Sequence, residues 1–466
     1  MPNSTDQTRR DFLKKITIMA GGTTLLATQS KLQMINSALA ADYSGVQDYK
    51  SLVCIFLAGG NDSLNMFPPY ETAAYQNYQN VRQRLRIPRD QLLPISDNSR
   101  AFHPSMEAVR DLYDQSRLCV LGNVGNLLQP LSRAQYLAAE AGDSSIRVPQ
   151  GLFSHSHQQE IWQTNRTPAV STPPGWGGLL ADLLNPANGA SELPPTTSLT
   201  GNNLWQTGQS TQPVKINGSG IRNFEYLRQG TWPAWQSGRI DTWEDILALN
   251  RNHVLEQQMA SSFLTTQRRI ALLQEALSSA PEIQTEYPSP NVNNLANNLR
   301  MVARLISARE ALGLKRQIFF IQYGPWDTHG DQLSDHANLL ATLNEAMNIF
   351  YQTTIELEVA DSVTTFTASE FGRTATSNGD GTDHGWGGDQ LIMGGAVKGG
   401  QVHGVLPDIT PGSIDDSGAA GRVIPTIAVD QYGATLAKWM GVADNDLNAL
   451  FPNLNQFALR DLGFMN

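Results

Sequence analysis

Apolar side chains in this chain gather into short unbroken runs and into stretches of helical spacing, and the two alternate. Residues 51–57 (SLVCIFL) form a continuous run that ends at Ala58-Gly59-Gly60-Asn61-Asp62. A run closed by a glycine turn suits a strand buried on both faces of a parallel sheet. The spacing then predicts a helix over 106–115 and a strand over 118–122, a β-α-β pattern. Further on it predicts a helix over 298–312, a strand over 317–322, a long helix over 338–357 and a strand over 363–367. A short strand opening over 390–393 and a helix over 431–440 follow. Alternating strands and helices predict a doubly wound, mostly parallel α/β sheet. Residues 193–290 break the rhythm with Pro194-Pro195-Thr196-Thr197, an Asn/Gly/Gln-rich stretch and one or two helices between Thr242 and Leu277. They are expected to form an inserted cap subdomain.

The chain has 466 residues, 40% hydrophobic and 16% charged, against about 25% charged in an average soluble protein. That excludes a disordered tail protein and leaves room for two or three folding units or one large one. Net charge is −10, although the first 40 residues carry five basic side chains (Arg9, Arg10, Lys14, Lys15, Lys31) and only two acidic ones (Asp6, Asp11). The remainder is therefore more acidic still. Such a body repels phosphate backbones and anionic lipid, so no nucleic-acid partner is expected. Two cysteines exclude a disulfide scaffold. Cys54 and Cys119 both fall in predicted strands, either as buried free thiols or as cross-strand neighbours able to pair, since adjacent strands lie about 4.8 Å apart.

The segment Thr8-Arg9-Arg10-Asp11-Phe12-Leu13-Lys14 resembles the twin-arginine export signal. A mildly apolar stretch over 16–28 and the small-residue pattern Ala38-Leu39-Ala40 follow. Residues 1–40 are thus expected to be a cleaved signal, the alternative being a basic amphipathic first helix. The resemblance implies the twin-arginine translocase as a partner during export, a periplasmic or extracellular destination and no stable membrane span in the mature protein. Proteins on that route cross already folded, often with a cofactor in place.

Ligands of open α/β sheets bind beyond the carboxyl ends of the strands, and there the sequence puts its acidic and imidazole residues. Asp62 follows the first strand. Asp327, His329 and Asp331 follow the strand over 317–322, in WDTHGD. Glu370 and Arg373 follow the strand over 363–367, in SEFGRT, and a glycine-rich loop then presents Asp383 and His384. A mixed carboxylate and imidazole set suits a divalent metal, Zn or Mn/Mg, better than calcium. Taken singly, each of these residues also reads as a turn former or a solvated charge. Ser154, in GLFSHSHQQEIWQT, opens a helical pattern: it is a helix cap or a nucleophile at the positive helix end beside a metal. His155 and His157 then become partners of the site or extra ligands. Arg373 would hold an anionic group or form a structural ion pair. Trp205, Trp232 and Trp235 read as core or as a sugar-binding surface.

Taken together, GGNDSLN, FSHSHQQEIWQT, WDTHGDQ, SEFGRT and DHGWGG resemble a large family of exported bacterial proteins of unknown function related to the alkaline phosphatase and sulfatase superfamily. The resemblance spans nearly the whole mature chain. It implies a metal-dependent hydrolase of small-molecule or glycan phosphate or sulfate esters, with Ser154 as nucleophile. It further implies Asp327, His329 and His384 on one metal and Asp62 and Glu370 on the other, with Asp62 bridging nucleophile and metal; Asp383 is a further candidate ligand, and His155 or His157 would make up a missing imidazole. Two departures stand out. Glu370-Phe371 replaces a consecutive Asp-His pair, and Asp327 and His329 are only two residues apart. A single-metal site, or a non-catalytic binding protein that keeps the fold, is the alternative.

Overall fold

The computed structural model describes residues 43–167, 172–221, 238–249 and 252–466. The expected signal segment, Trp232 and Trp235 lie outside the described residues. One nine-stranded sheet organises the chain. Its strands are β1 (Lys50–Leu57), β2 (Leu118–Gly125), β3 (Thr196–Ser198), β4 (Val214–Lys215), β5 (Arg316–Tyr323), β6 (Val363–Ala368), β7 (Gly388–Met393), β8 (Val402–His403) and β9 (Ile427–Ala428). The order across the sheet is β8-β2-β7-β6-β1-β5-β3-β4, with β9 also on β2. Every pairing is parallel except those of β7, which runs against both β6 and β2. The sheet is therefore α/β and mostly parallel.

Alternation along β1 explains the two-sided core. Val53, Ile55 and Leu57 face helices α1 (Glu107–Asp114), α2 (Asn294–Ser307) and α3 (Gln332–Glu356), while Leu52, Cys54 and Phe56 face α4 (Trp176–Leu184) and α5 (Val429–Trp439). Successive side chains of a strand point to opposite faces, so an unbroken apolar run is what a sheet covered on both sides requires. Trp205 lies fully buried among Trp176, Phe320 and Phe366, as core and not as a sugar-binding surface.

The β-α-β unit of β1, α1 and β2 is not a pair of neighbouring strands, because β6 and the antiparallel β7 lie between them. Cys54 and Cys119 are thus three strand spacings apart, roughly 14 Å, and both thiols are free and buried. The stretch 193–290 also supplies β3 and β4 to the sheet edge, and Leu273, Ala276 and Leu277 of its long helix (Val254–Ser279) join the core. Helix α3 begins at Gln332, earlier than its apolar spacing predicts: Gln332 and His336 are buried against Asp62 and Asn61 past the end of β1, while Leu333, Ser334 and Asp335 between them are exposed and leave no apolar signal. Among the described residues no helix is long and apolar enough to cross a membrane.

Candidate metal centre

Three adjacent parallel strands, β6, β1 and β5, finish level with one another: Leu57 lies opposite Tyr323, and Phe56 opposite Ala368. Their following loops carry Asp62, Asp327 with His329, and Glu370 with Arg373. Because β7 is antiparallel, its amino end lies at this same edge and brings in the loop with Asp383 and His384. The loops meet backbone to backbone. Gly372 N donates to Trp386 O (2.9 Å), Gly385 N donates to Gly372 O (2.8 Å), and Arg373 and His384 form an isolated antiparallel bridge. A Cβ at Gly372 would fall 2.1 Å from Gly387 O, and one at Gly59 would fall 2.4 Å from Asp327 N. Glycine is what lets the loops close on each other. The helix His155–Thr164 (α6) brings His155 and Gln159 onto Glu370.

At the centre is the Asp327 carboxylate. Its Oδ1 lies 3.0 Å from His329 Nε2, 3.2 Å from His384 Nε2 and 2.7 Å from Arg373 Nη1, and its Oδ2 lies 3.5 Å from His155 Nε2. The Nε2 atoms of His329 and His384 are 3.0 Å apart. All three imidazoles turn Nε2 inward, and their outer nitrogens meet acceptors. His155 Nδ1 donates to Glu370 Oε1 (2.8 Å), and His384 Nδ1 donates to the Phe153 carbonyl (2.7 Å). His329 Nδ1 lies 3.4 Å from Asp383 Oδ1. Phe371 is buried and lays its ring 4.8 Å from both the His384 and His155 rings, an apolar wall behind the imidazoles.

These contacts decide the electrostatics. The Glu370 hydrogen bond raises the His155 pKa against the pull of burial. Burial dominates at His384 and lowers it, although the Phe153 carbonyl opposes. Burial pushes the Asp327 carboxyl up, but Arg373, His329 and His155 together hold it below its ordinary range. With its hydrogen on Nδ1, neutral His384 turns a lone pair on Nε2 toward Asp327 Oδ1. His155 Nε2 is buried and has no hydrogen-bond partner. Two ligands of a tetrahedral zinc, each about 2.0–2.1 Å from it, sit roughly 3.3 Å apart. One donor atom from each of His155, Asp327 and His384 lies within 4.8 Å of the others. These three residues could hold a metal ion, and the site opens to solvent through Asp327 and His329, whose side chains are 38% and 45% exposed.

A family model described as a protein of unknown function, DUF1501, matches residues 49–429. The chain belongs to the DUF1501 family. No curated protein matches its sequence. Solved structures similar to this DUF1501 chain include the PsFucS1 sulfatase from Pseudoalteromonas sp., at 9% identity and a TM-score of 0.35, covering 94% of this chain and 77% of that one. The lipoteichoic acid synthase LtaP from Listeria monocytogenes is 8% identical, with a TM-score of 0.34, over 88% of this chain and 78% of its own. The alkaline phosphatase PafA is 10% identical, with a TM-score of 0.27, over 71% and 64%. At such values the chemistry of the DUF1501 site has to be derived from its own residues.

Of the residues singled out in the DUF1501 sequence, Asp327, His329, His384 and His155 come together. Asp383 stands at the outer nitrogen of His329 and not at the centre. Glu370, expected on a metal, is fully buried, and its Oε1 accepts from Gly59 N, His155 Nδ1 and Gln159 Nε2 at 3.0, 2.8 and 2.8 Å. It therefore orients His155 from behind. Asp62, expected to bridge nucleophile and metal, is likewise buried, with Oδ1 on Arg82 and Oδ2 on Gln332. Arg373 holds Asp327 and the loop carbonyls, leaving its guanidinium enclosed and not presented to an anionic group. Ser154 precedes α6 without capping it; its hydroxyl lies 3.2 Å from His157 Nδ1 and 3.3 Å from Ser156 Oγ. Sequence reasoning missed Arg82, Gln159, Gln332, Thr382 and the Phe153 carbonyl. Only Gln159, one helical turn beyond His155, carried a readable signal.

Proposed function

We propose that this chain is a metal-dependent hydrolase of phosphate or sulfate esters built on a single divalent site. One observation carries the reading: three imidazole Nε2 atoms and one carboxylate converge on a solvent-open point at the strand ends, their outer nitrogens already met by acceptors. On this reading His155, Asp327 and His384 hold the ion, with His329 alongside, and zinc is the best fit to a nitrogen-rich set; Mn or Mg are the alternatives. The ion supplies Lewis acidity, polarising an ester oxygen and stabilising charge as it develops. Ser154 lies in the chain between Phe153, whose carbonyl holds His384, and His155. Its oxygen is the candidate nucleophile toward phosphorus or sulfur, with His157 Nδ1 3.2 Å away to take the proton. Glu370 and the Phe153 carbonyl keep the inward nitrogens free for the ion. A small-molecule or glycan ester is the substrate class. The twin-arginine-like segment supports export, folded and loaded, to the periplasm or beyond, and part of 193–290 is the candidate cap.

Elemental analysis of protein purified without chelators tests the metal, with about one equivalent of zinc expected. Aryl phosphates, phosphodiesters and aryl sulfates, assayed with and without added Zn or Mn, test the chemistry; turnover lost in Ser154→Ala and in His155→Ala is expected. Metal-free protein with its fold unaltered counts against the reading. A non-catalytic metal-binding protein is the second reading, favoured by the engagement of Asp62 with Arg82 and Gln332. Bound metal without turnover across the panel selects it.

A further inference from the structure

The geometry points to Gln332 and Thr382 as positioning residues that, anchored on Asp62, set the Arg373 guanidinium and through it the Asp327 carboxylate. This rests on the metal-centre reading above. The direction of every bond in the chain follows from one charge. A carboxylate only accepts, so Asp62 Oδ2 dictates that Gln332 presents its amide nitrogen there. Gln332 Oε1 must then face the other way, where it accepts from Thr382 Oγ1 at 2.7 Å. Having given its single hydrogen to Gln332, the Thr382 hydroxyl has only lone pairs left, and one accepts from Arg373 Nε at 3.2 Å. The Thr382 carbonyl takes Nη2, and the Gly59 carbonyl takes Nη1 at 3.2 Å. With those donors occupied, the fork reaches Asp327 Oδ1 at 2.7 Å in one orientation.

All four supporting side chains are buried: Asp62, Gln332, Thr382 and Arg373. A buried network of this kind favours a single arrangement, because leaving any of these four members unpaired costs its desolvation. Arg373 sits on Oδ1, and Oδ2 faces His155. The relay therefore restrains Asp327 from rotating, and the site offers an ion imidazole nitrogens plus one restrained carboxylate. Such a set favours zinc-type ions over hard cations that want several carboxylate oxygens.

The test is Thr382→Val, which keeps shape and removes the hydroxyl, beside Thr382→Ser, which keeps the hydroxyl. Binding of Co²⁺ is followed by its visible absorption, which reports ligand geometry, and Zn²⁺ affinity by competition with a chromophoric chelator. Loss of a supporting hydrogen bond behind a ligand weakens metal binding by about 10–100-fold. A fall at or above the lower end of that range, with an altered Co²⁺ spectrum, is expected for Thr382→Val, and recovery for Thr382→Ser. Thermal unfolding of the metal-free variants controls for folding; where Thr382→Val does not fold, Gln332→Met takes its place. Wild-type affinity and spectrum in Thr382→Val, or equal damage from Thr382→Ser, overturn the proposal. A second readout works without metal: ¹⁵N-labelled histidine resonances of His329 and His384 should move in Thr382→Val. If they stay fixed, the positioning role fails; if they move while no Co²⁺ or Zn²⁺ binds the wild-type protein, the metal centre fails and the positioning role stands.

Discussion

Glu370 shows how one residue's surroundings settle its chemistry. Its side chain is fully buried and its Oε1 receives three donors, His155 Nδ1 among them, so in the proposed centre it orients that imidazole. Glu370→Ala should therefore weaken Zn²⁺ binding by about 10–100-fold without abolishing it. Competition titration measures this; affinity equal to wild type would remove Glu370 from the centre. Nothing in SEFGRT distinguishes a carboxylate that grips a metal from one that orients a histidine, because the distinction lies in where Gly59 N and Gln159 stand, and those come from other loops. The same holds for Asp62. Its place after β1 was legible, yet its partner Arg82 lies twenty residues on and has no pattern that marks it.

At the scale of elements, the site is a junction of loops held by glycine. A Cβ at Gly372 collides with the Gly387 carbonyl at 2.1 Å, so Gly372→Ala must push the SEFGRT and DHGWGG loops apart. His384 rides on the second loop. The variant is expected to lose metal affinity by tenfold or more, and to lose about 1–3 kcal/mol of stability as other over-packed sites do. Chelator competition and urea denaturation measure the two effects, and an unchanged affinity would show that His384 is held independently of this contact. The strands were legible because short runs of four to seven residues with glycine turns close behind them are too short for helices and suit buried strands. Strand order was not. The run of β2 carries no mark that it pairs with an antiparallel β7 instead of lying beside β1, and the possible Cys54–Cys119 pair goes with that misplacement. Ellman's reagent is accordingly expected to find no reactive thiol in the native protein and two after denaturation, with or without prior reductant. Burial pushes both thiols up in pKa and keeps them inert. Fewer than two thiols in the denatured, unreduced protein would contradict the sheet order.

Across the whole molecule, buried titratable groups set the pH range of stability. Burial dominates at His103 and His336 and lowers both to about 3. An unfolded histidine takes its proton near 6.5, so below that pH the unfolded state binds more protons and stability falls as pH drops toward 3. Asp430 works in the opposite sense. Burial raises it to about 7, so the folded chain keeps a proton that the unfolded chain releases near 4. Its contribution therefore declines as pH rises from about 4 to about 7 and is constant above. Asp430→Asn, which keeps the acceptor for Asn453 N, should unfold at a higher temperature than wild type at pH 8 and match it near pH 4. Thermal scans from pH 4 to 8 check the sign. A gap that widens toward acid would mean that Asp430 is ionised in the folded state.

What the sequence determined by itself was local. Apolar runs became strands, helical spacing became helices, and acidic and imidazole residues fell just past strand ends, because each of these depends on neighbours within a few positions. Tertiary structure decided which of those residues meet. Asp327, His329, His155 and His384 converge because β6, β1 and β5 end level and β7 turns back beside them, while Asp62 and Glu370, equally well placed along the chain, are engaged by Arg82, Gln332 and His155. Hydrogen-bond partners come from segments 20, 215 and 270 residues apart, and a linear pattern cannot show which donor reaches a carboxylate first.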